Sequence, residues 1–249
     1  MLVKCDAGQL EWRTLVELSR DEIALQEILN KEDTHSKNQG LFGLPTRLIA
    51  KVYLFRTIYR GSGWAFANDP EFMHVSSSPK FWDDIGEKFY GKYAGIDKQH
   101  QQWKDLVIAG TDISIPSGRS WNISMGRDSR TGELKIPWTV LTNYPNQGLG
   151  ADVMMLVRLS LWRRIRASGR KVKFISTVHD DIKFDCREAD VQFVVDTCYQ
   201  VFADLIPNIK RSWGYDWVVP MTCEVFKGMN MLDMEEVKPS NDLTYLKVS

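Results

Sequence analysis

His179, Asp180 and Asp181 lie between two short apolar alternations, with Val172, Phe174, Ile175 and Val178 before them and Ile182 and Phe184 after. That pattern reads as strand, tight turn, strand, and it puts adjacent carboxylates at the tip of a hairpin. Side-by-side like charges are costly unless a cation joins them, and carboxylate oxygens suit a hard divalent ion such as Mg²⁺. Asp6, at the end of a short strand from Val3, offers a further carboxylate from a separate element. Without a cation, Asp180 and Asp181 read as a solvated turn, a common place for Asp. A second group is cationic. Arg47, Lys51, Phe55 and Tyr59 fall at steps of four and so line one face of a helix. Guanidinium and ammonium one turn apart make charge-assisted bonds to a triphosphate, and the rings beyond them fit a base or sugar. The same stripe also reads as an ordinary amphipathic helix, with its rings in the core and its cations in water.

The chain that must position these groups has 249 residues, 43% apolar and 26% charged, enough to bury a core. No apolar run approaches the roughly 18–20 residues that span a bilayer. The opening Met-Leu-Val-Lys-Cys-Asp lacks the features of a secretory signal, so the expectation is a cytoplasmic protein with no membrane part. Cys5, Cys186, Cys198 and Cys223 are scattered without a Cys-x-x-Cys pair and read as buried, reduced thiols. With 32 basic and 32 acidic residues, any nucleic-acid surface must be local.

Periodicity gives a strand over 3–6, a helix over 10–29, and a helix entered near Pro45 that runs to Tyr59 and stops at Gly61 and Gly63. Residues 79–106 read as helix, and 113–136 as hairpins or irregular strands with a charged turn over 128–132. A strong helix over 147–168, the hairpin over 171–185, a helix over 189–205 and a strand over 217–225 follow. Hairpin-like strand pairs without regular alternation favour an α+β fold with an antiparallel sheet.

Together these pieces resemble the family A, polymerase I-like DNA polymerases, of which phage replicative enzymes form a part. Asp6-Ala-Gly-Gln-Leu-Glu11-Trp-Arg13 is similar to the family's first catalytic-aspartate motif, Arg47 to Tyr59 to its nucleotide-binding helix, and His179-Asp180-Asp181 to its third motif. Asp33-Thr34-His35 looks like the family's Asp-x-His element, and Asn143 to Asp152 like its minor-groove segment. Val219-Pro220 with Glu224 and Gly228 fits the closing strand. Six motifs in order across the chain carry the resemblance.

The resemblance implies an α+β right-hand fold: one palm over 1–249 with helical fingers inserted at about 38–110, and no thumb or exonuclease. It implies template-directed transfer of dNTPs to a primer 3′-hydroxyl with two Mg²⁺ held by Asp6 and Asp180, Asp181 being accessory. Arg47, Lys51 and His35 then contact nucleotide phosphates, with Lys51 also the proton donor to pyrophosphate. Phe55 packs on the sugar, Glu11 blocks a ribose 2′-hydroxyl and Tyr59 lies beside the nascent base pair. Asn143 and Gln147 read minor-groove acceptors common to all base pairs. Arg13 and His179 lie on the DNA, His179 at the primer terminus. The cationic run Arg163, Arg164, Arg166, Arg170, Lys171 and Lys173 is either a primer-backbone surface or a solvated helix end.

Only five residues precede Asp6, so the expectation is the C-terminal part of a split or truncated enzyme. A separate N-terminal fragment then brings the thumb, and the lone chain exposes an apolar edge. A non-catalytic nucleotide- or DNA-binding subunit and a single-subunit RNA polymerase-like enzyme are the alternatives. Glu11 opposes the latter, because a bulky acid there crowds the ribose hydroxyl. Arg60 stands where the family usually has Gly, with Gly61 expected to take the turn, Thr139 where it often has Arg, and Asp181 where Glu is more usual.

Overall fold

The computed structural model describes residues 1–128 and 131–240; Ser129 and Arg130, inside the expected charged turn, and residues 241–249 lie outside the described residues. The elements in the first half are β1 (Leu2–Ala7), α1 (Leu10–Ser19), α2 (Glu22–Leu29), α3 (Thr34–Phe42), α4 (Arg47–Thr57), α5 (Gly63–Ala67), α6 (Pro79–Lys92) and α7 (Ala94–Ile108). Then come β2 (Ile113–Ser114), β3 (Ser120–Trp121), β4 (Gly126–Arg127), β5 (Leu134–Lys135) and α8 (Trp138–Ala167). The last are β6 (Lys173–Val178), β7 (Asp181–Asp185), α9 (Val191–Ala203), α10 (Leu205–Trp213), β8 (Cys223–Gly228) and β9 (Met234–Glu236). The chain separates into two compact units, one of Met1–Arg13 with the chain from Leu149 onward, the other of Thr14–Gly148.

The first unit is built on a sheet of order β6-β7-β1-β8-β9. All its neighbours are antiparallel, as the hairpin pattern implied. Alternation sends Val3, Cys5 and Ala7 of β1, Ile182 and Phe184 of β7 and Val225 of β8 to one buried face. There α9 covers β1 and β8 with Val194, Val195, Cys198 and Val201. All four cysteines are buried and free. Helix α10 and strand β9, which periodicity missed, complete the unit. Pro207 hides α10 from pattern reading, yet it falls in the first turn, where its absent N–H costs nothing.

In the second unit the expected 10–29 helix breaks after Ser19. Arg20 takes a left-handed φ of 51°, and the Asp21 carboxylate caps α2 by accepting from Ala24 N at 2.9 Å. The same carboxylate accepts from Gly95 N at 2.7 Å, so the break is locked from α7. The expected 79–106 helix likewise divides, at the buried Tyr93. Conversely α8 begins at Trp138, well before expected, and runs through Pro145. An aromatic core fixes α4: Tyr53 lies 4.7 Å from Phe66 and 5.5 Å from Trp82 between ring centroids, and its hydroxyl donates to Trp82 O at 3.3 Å.

Gly63 opens α5 where a Cβ would come within 2.2 Å of Pro79 O, whereas a Cβ on Gly91 in α6 would meet nothing. Gly63→Ala is therefore expected to lower stability by about 1–3 kcal/mol through overpacking. Gly91→Ala should raise it by up to about 1 kcal/mol through helix propensity. Urea unfolding midpoints check both signs.

Candidate active site

Strand β1 sits between β7 and β8, and its register opposes Asp6 to Asp181 on one side and to Glu224 on the other. Cross-strand partners share a face, so these carboxylates project on the side opposite the apolar core. The hairpin closes with a two-residue turn, His179–Asp180, between paired Val178 and Asp181. His179 takes a φ of 52°, and Ala7 N donates to Asp180 O at 2.9 Å, which ties the turn to the end of β1. The Asp180 carboxyl is pushed above its ordinary range by burial first, then by the charges of Asp6 and Asp181. The Asp180 carboxyl is thus where added positive charge would be most favourable, and a hard divalent ion supplies it. Among the described residues no three His, Cys, Asp or Glu side chains form a metal-binding cluster. Mg²⁺ commonly takes one or two carboxylates and completes its shell with phosphate and water, so the donor set fits it.

Gly8 lets the chain leave β1: a Cβ there would lie 2.6 Å from Thr222 Oγ1, and its N–H donates to Thr222 O at 2.8 Å. Arg13 braces the same turn, donating from Nε to Gly8 O at 2.8 Å and from Nη1 to Pro220 O. Glu11 is partly buried in the first turn of α1 and His179 is exposed. In the cationic run, Arg164 pairs with Asp204 and Arg170 with Asp190, each at 2.6 Å, which leaves Arg163, Arg166, Lys171 and Lys173 as exposed cations, Arg166 lying 5.2 Å over the Trp162 ring.

The second unit gathers the other expected residues. Thr46 caps α4 by accepting from Ile49 N at 3.2 Å, so Arg47 opens the helix. Arg47 and Lys51 are exposed, Phe55 is half-buried, and Ala50, Tyr53 and Leu54 are the core side. Asp33 is a residue whose part was missed. Its carboxylate caps α3, accepting from His35 N at 3.1 Å, and also takes Arg47 Nε at 2.7 Å and Nη2 at 3.2 Å. The guanidinium holds the Asp33 carboxyl well below the usual range. His35 is buried, 6.1 Å from the Phe55 ring, with no partner for Nδ1 among the described residues. Burial, then the charge of Arg47, lowers its pKa and keeps it neutral.

Tyr59 leaves the helical stripe because α4 ends at Thr57. Its hydroxyl accepts from Asn146 Nδ2 at 3.2 Å, and Asn146 Oδ1 accepts from Thr14 at 2.7 Å. The turn that follows corrects the expectation for Gly61: Arg60 itself adopts the left-handed φ of 59°. Its guanidinium holds that conformation by donating to His100 Nδ1 at 3.2 Å, pairing with Asp97 and lying 3.8 Å over the Tyr90 ring. Burial and this cation push His100 down to about 3, so it stays a neutral acceptor. Asn143 and Gln147, four apart, share a face of α8, the former partly buried and the latter exposed.

The family model for DNA polymerase family A matches residues 1–233. The chain belongs to DNA polymerase family A. This family A chain is 22% identical over 241 residues to DNA polymerase I of Caldicellulosiruptor bescii, covering 92% of itself and 26% of that relative. It is 23% identical over 240 residues to DNA polymerase I of Chloroflexus aurantiacus, covering 93% and 24% respectively. It therefore spans about a quarter of the length of these curated relatives. A solved structure described as the POL domain of Pol1 from M. smegmatis with DNA primer-template and dNTP shares its fold. The TM-score is 0.71 at 21% identity, over 91% of this chain and 39% of that one.

In this family A chain the Asp33–Arg47 pair is exposed and solvent-screened, so Asp33→Asn should cost only about 1 kcal/mol at pH 7. The folded pKa of Asp33 is depressed, so this stabilisation is present above the unfolded pKa of about 3.9 and fades as pH falls below it. Urea unfolding of wild type and variant from pH 7 downward should show the gap narrowing below about pH 4.

Proposed function

We propose that this chain is the nucleotidyl-transfer part of a DNA-directed DNA polymerase, adding deoxynucleotides to a primer 3′-hydroxyl. The observation that carries the reading is the register opposing Asp6 to Asp181, with Asp180 in the adjoining turn. On this reading the first unit is the palm, and the fingers are the part of the second unit around residues 38–110. Asp6 and Asp180 would hold Mg²⁺, with Asp181 accessory, and two such ions would supply the charge that lowers the pKa of the primer hydroxyl and stabilises the leaving pyrophosphate.

The protein's own groups then have separate tasks. Arg47 and Lys51 bind the triphosphate, and Lys51 supplies a proton to pyrophosphate. Neutral His35 offers one hydrogen bond to phosphate without adding charge. Phe55 packs on the sugar and Tyr59, oriented through Asn146, lies beside the nascent base pair. Glu11 excludes a ribose 2′-hydroxyl, which favours deoxynucleotides over the RNA polymerase-like alternative. Asn143 and Gln147 test the minor groove through acceptors shared by all base pairs, while Arg13 and His179 contact the DNA. No helix among the described residues is long and apolar enough to cross a membrane. A phage origin and work in the host cytoplasm belong to the same proposal.

The proposed protein partner is an N-terminal polymerase fragment carrying the thumb. Its support is the edge strand β6, none of whose residues is buried. Ile175 is 52% exposed, Val178 48% and, on α8, Trp162 46%. A cavity of about 410 Å³ opens between this strand and Arg158, Leu159 and Trp162 of α8.

Primer extension with Mg²⁺ and dNTPs tests the function. Asp180→Ala should reduce the rate at least about a hundredfold, the equivalent of about 2.7 kcal/mol in barrier. If the folded chain is silent alone, an N-terminal polymerase fragment should restore it. Silence in both settings, or an Asp180→Ala variant as active as wild type, would sink the reading.

A further inference from the structure

Two lysines share the carboxylate face of the sheet. Lys4 Nζ lies 2.9 Å from Asp6 Oδ2, and Lys183 Nζ pairs with Asp181 Oδ1. The register opposes Lys4 to Lys183 in the same ladder that opposes Asp6 to Asp181. Each of those like-charge pairs is unfavourable by itself; joined along the strands they close a square of two ammoniums and two carboxylates. The square is held from outside as well. Lys4 Nζ sits 4.7 Å from the centroid of Phe226, its register partner on β8, so ring and carboxylate clasp it together. The lysine side chains are only 25% and 18% exposed, unlike freely solvated surface cations. Asp180 and Glu224 flank the square with further negative charge.

We propose that Lys4 and Lys183 form an ammonium latch that neutralises Asp6 and Asp181 when no divalent cation is bound and competes with that cation for them. The inference rests on the reading of Asp6 and Asp180 as metal ligands. A divalent ion arriving at Asp6 brings two positive charges beside an ammonium that already occupies Oδ2. Binding therefore requires the ammoniums to give way, and the lysines set the metal affinity of the site. Neither lysine touches the reacting atoms; both act as positioning residues.

The test is Mn²⁺ binding by the whole chain without nucleotide or DNA, read from the electron paramagnetic resonance signal of free Mn²⁺. Lys4→Met with Lys183→Met should bind at least about tenfold more tightly than wild type, since a nearby positive charge is removed from a partly shielded site. In EDTA the same variant should melt below wild type, and Mn²⁺ should raise its melting temperature more. Asp180→Ala should abolish binding in both backgrounds. Should the double variant fail to fold, the wild-type chain carries the test: Mg²⁺ titration must shift the side-chain ammonium resonances of Lys4 and Lys183. Equal or weaker Mn²⁺ affinity in a folded variant, or ammonium signals unmoved by bound Mg²⁺, overturns the latch and leaves the metal reading standing. Absence of Mn²⁺ binding in every form overturns both.

Discussion

Asp6 and Asp181 face each other across the β1–β7 ladder with Asp180 in the turn beside them, and this crowding of negative charge is what the sheet is organised to withstand. Opposed carboxylates push strands apart, so β1 is clamped by ladders on both sides. Beneath the charged face the same strands bury Val3, Cys5, Ala7, Ile182, Phe184 and Val225, and this apolar surface opposes any slip. A one-residue shift would exchange the two faces and sink the carboxylates into the core. Gly8 then ends β1 by lying against Thr222, where no side chain fits.

The second unit solves a different problem, which is to keep cations exposed on a helix without letting it wander. Helix α4 is gripped through Tyr53 by rings from α5 and α6, and Ala50 and Leu54 are buried on the same side. The opposite side carries Arg47 and Lys51. Asp33 restrains Arg47 and caps α3 with one carboxylate, coupling the starts of two helices. At the far end Arg60 takes a strained backbone conformation and is compensated by Asp97, His100 and Tyr90.

Much of this was legible in the residues. The hairpin around His179–Asp181, the short strand carrying Asp6 and the α4 stripe as far as Phe55 follow from periods of two and of about four, and the structure has them; Tyr59 lies past the end of α4. Helix breaks were less visible. Arg20 and Tyr93 interrupt apolar patterns that continue unchanged across them, because their stops depend on contacts from elsewhere, such as Asp21 with Gly95. Glu224, Lys4 and Lys183 escaped as site neighbours for a similar reason. Alternation says which residues share a strand face, but only the pairing register says which strands meet. The role of Asp33 was hidden too, since a cap and an ion pair on one carboxylate leave no periodic trace.

The unburied strand β6 also governs how the protein behaves outside its working context. Its outer edge has no strand partner among the described residues, and Phe174, Ile175 and Val178 give it the composition of a template for intermolecular strand addition. Exposed Lys171 and Lys173 at its start act as gatekeepers, holding identical edges apart by charge. That protection is electrostatic and shortens with the Debye length, from about 30 Å at 0.01 M salt to about 8 Å at physiological strength. At this edge added salt therefore weakens the repulsion between identical strands and leaves their apolar residues exposed to one another.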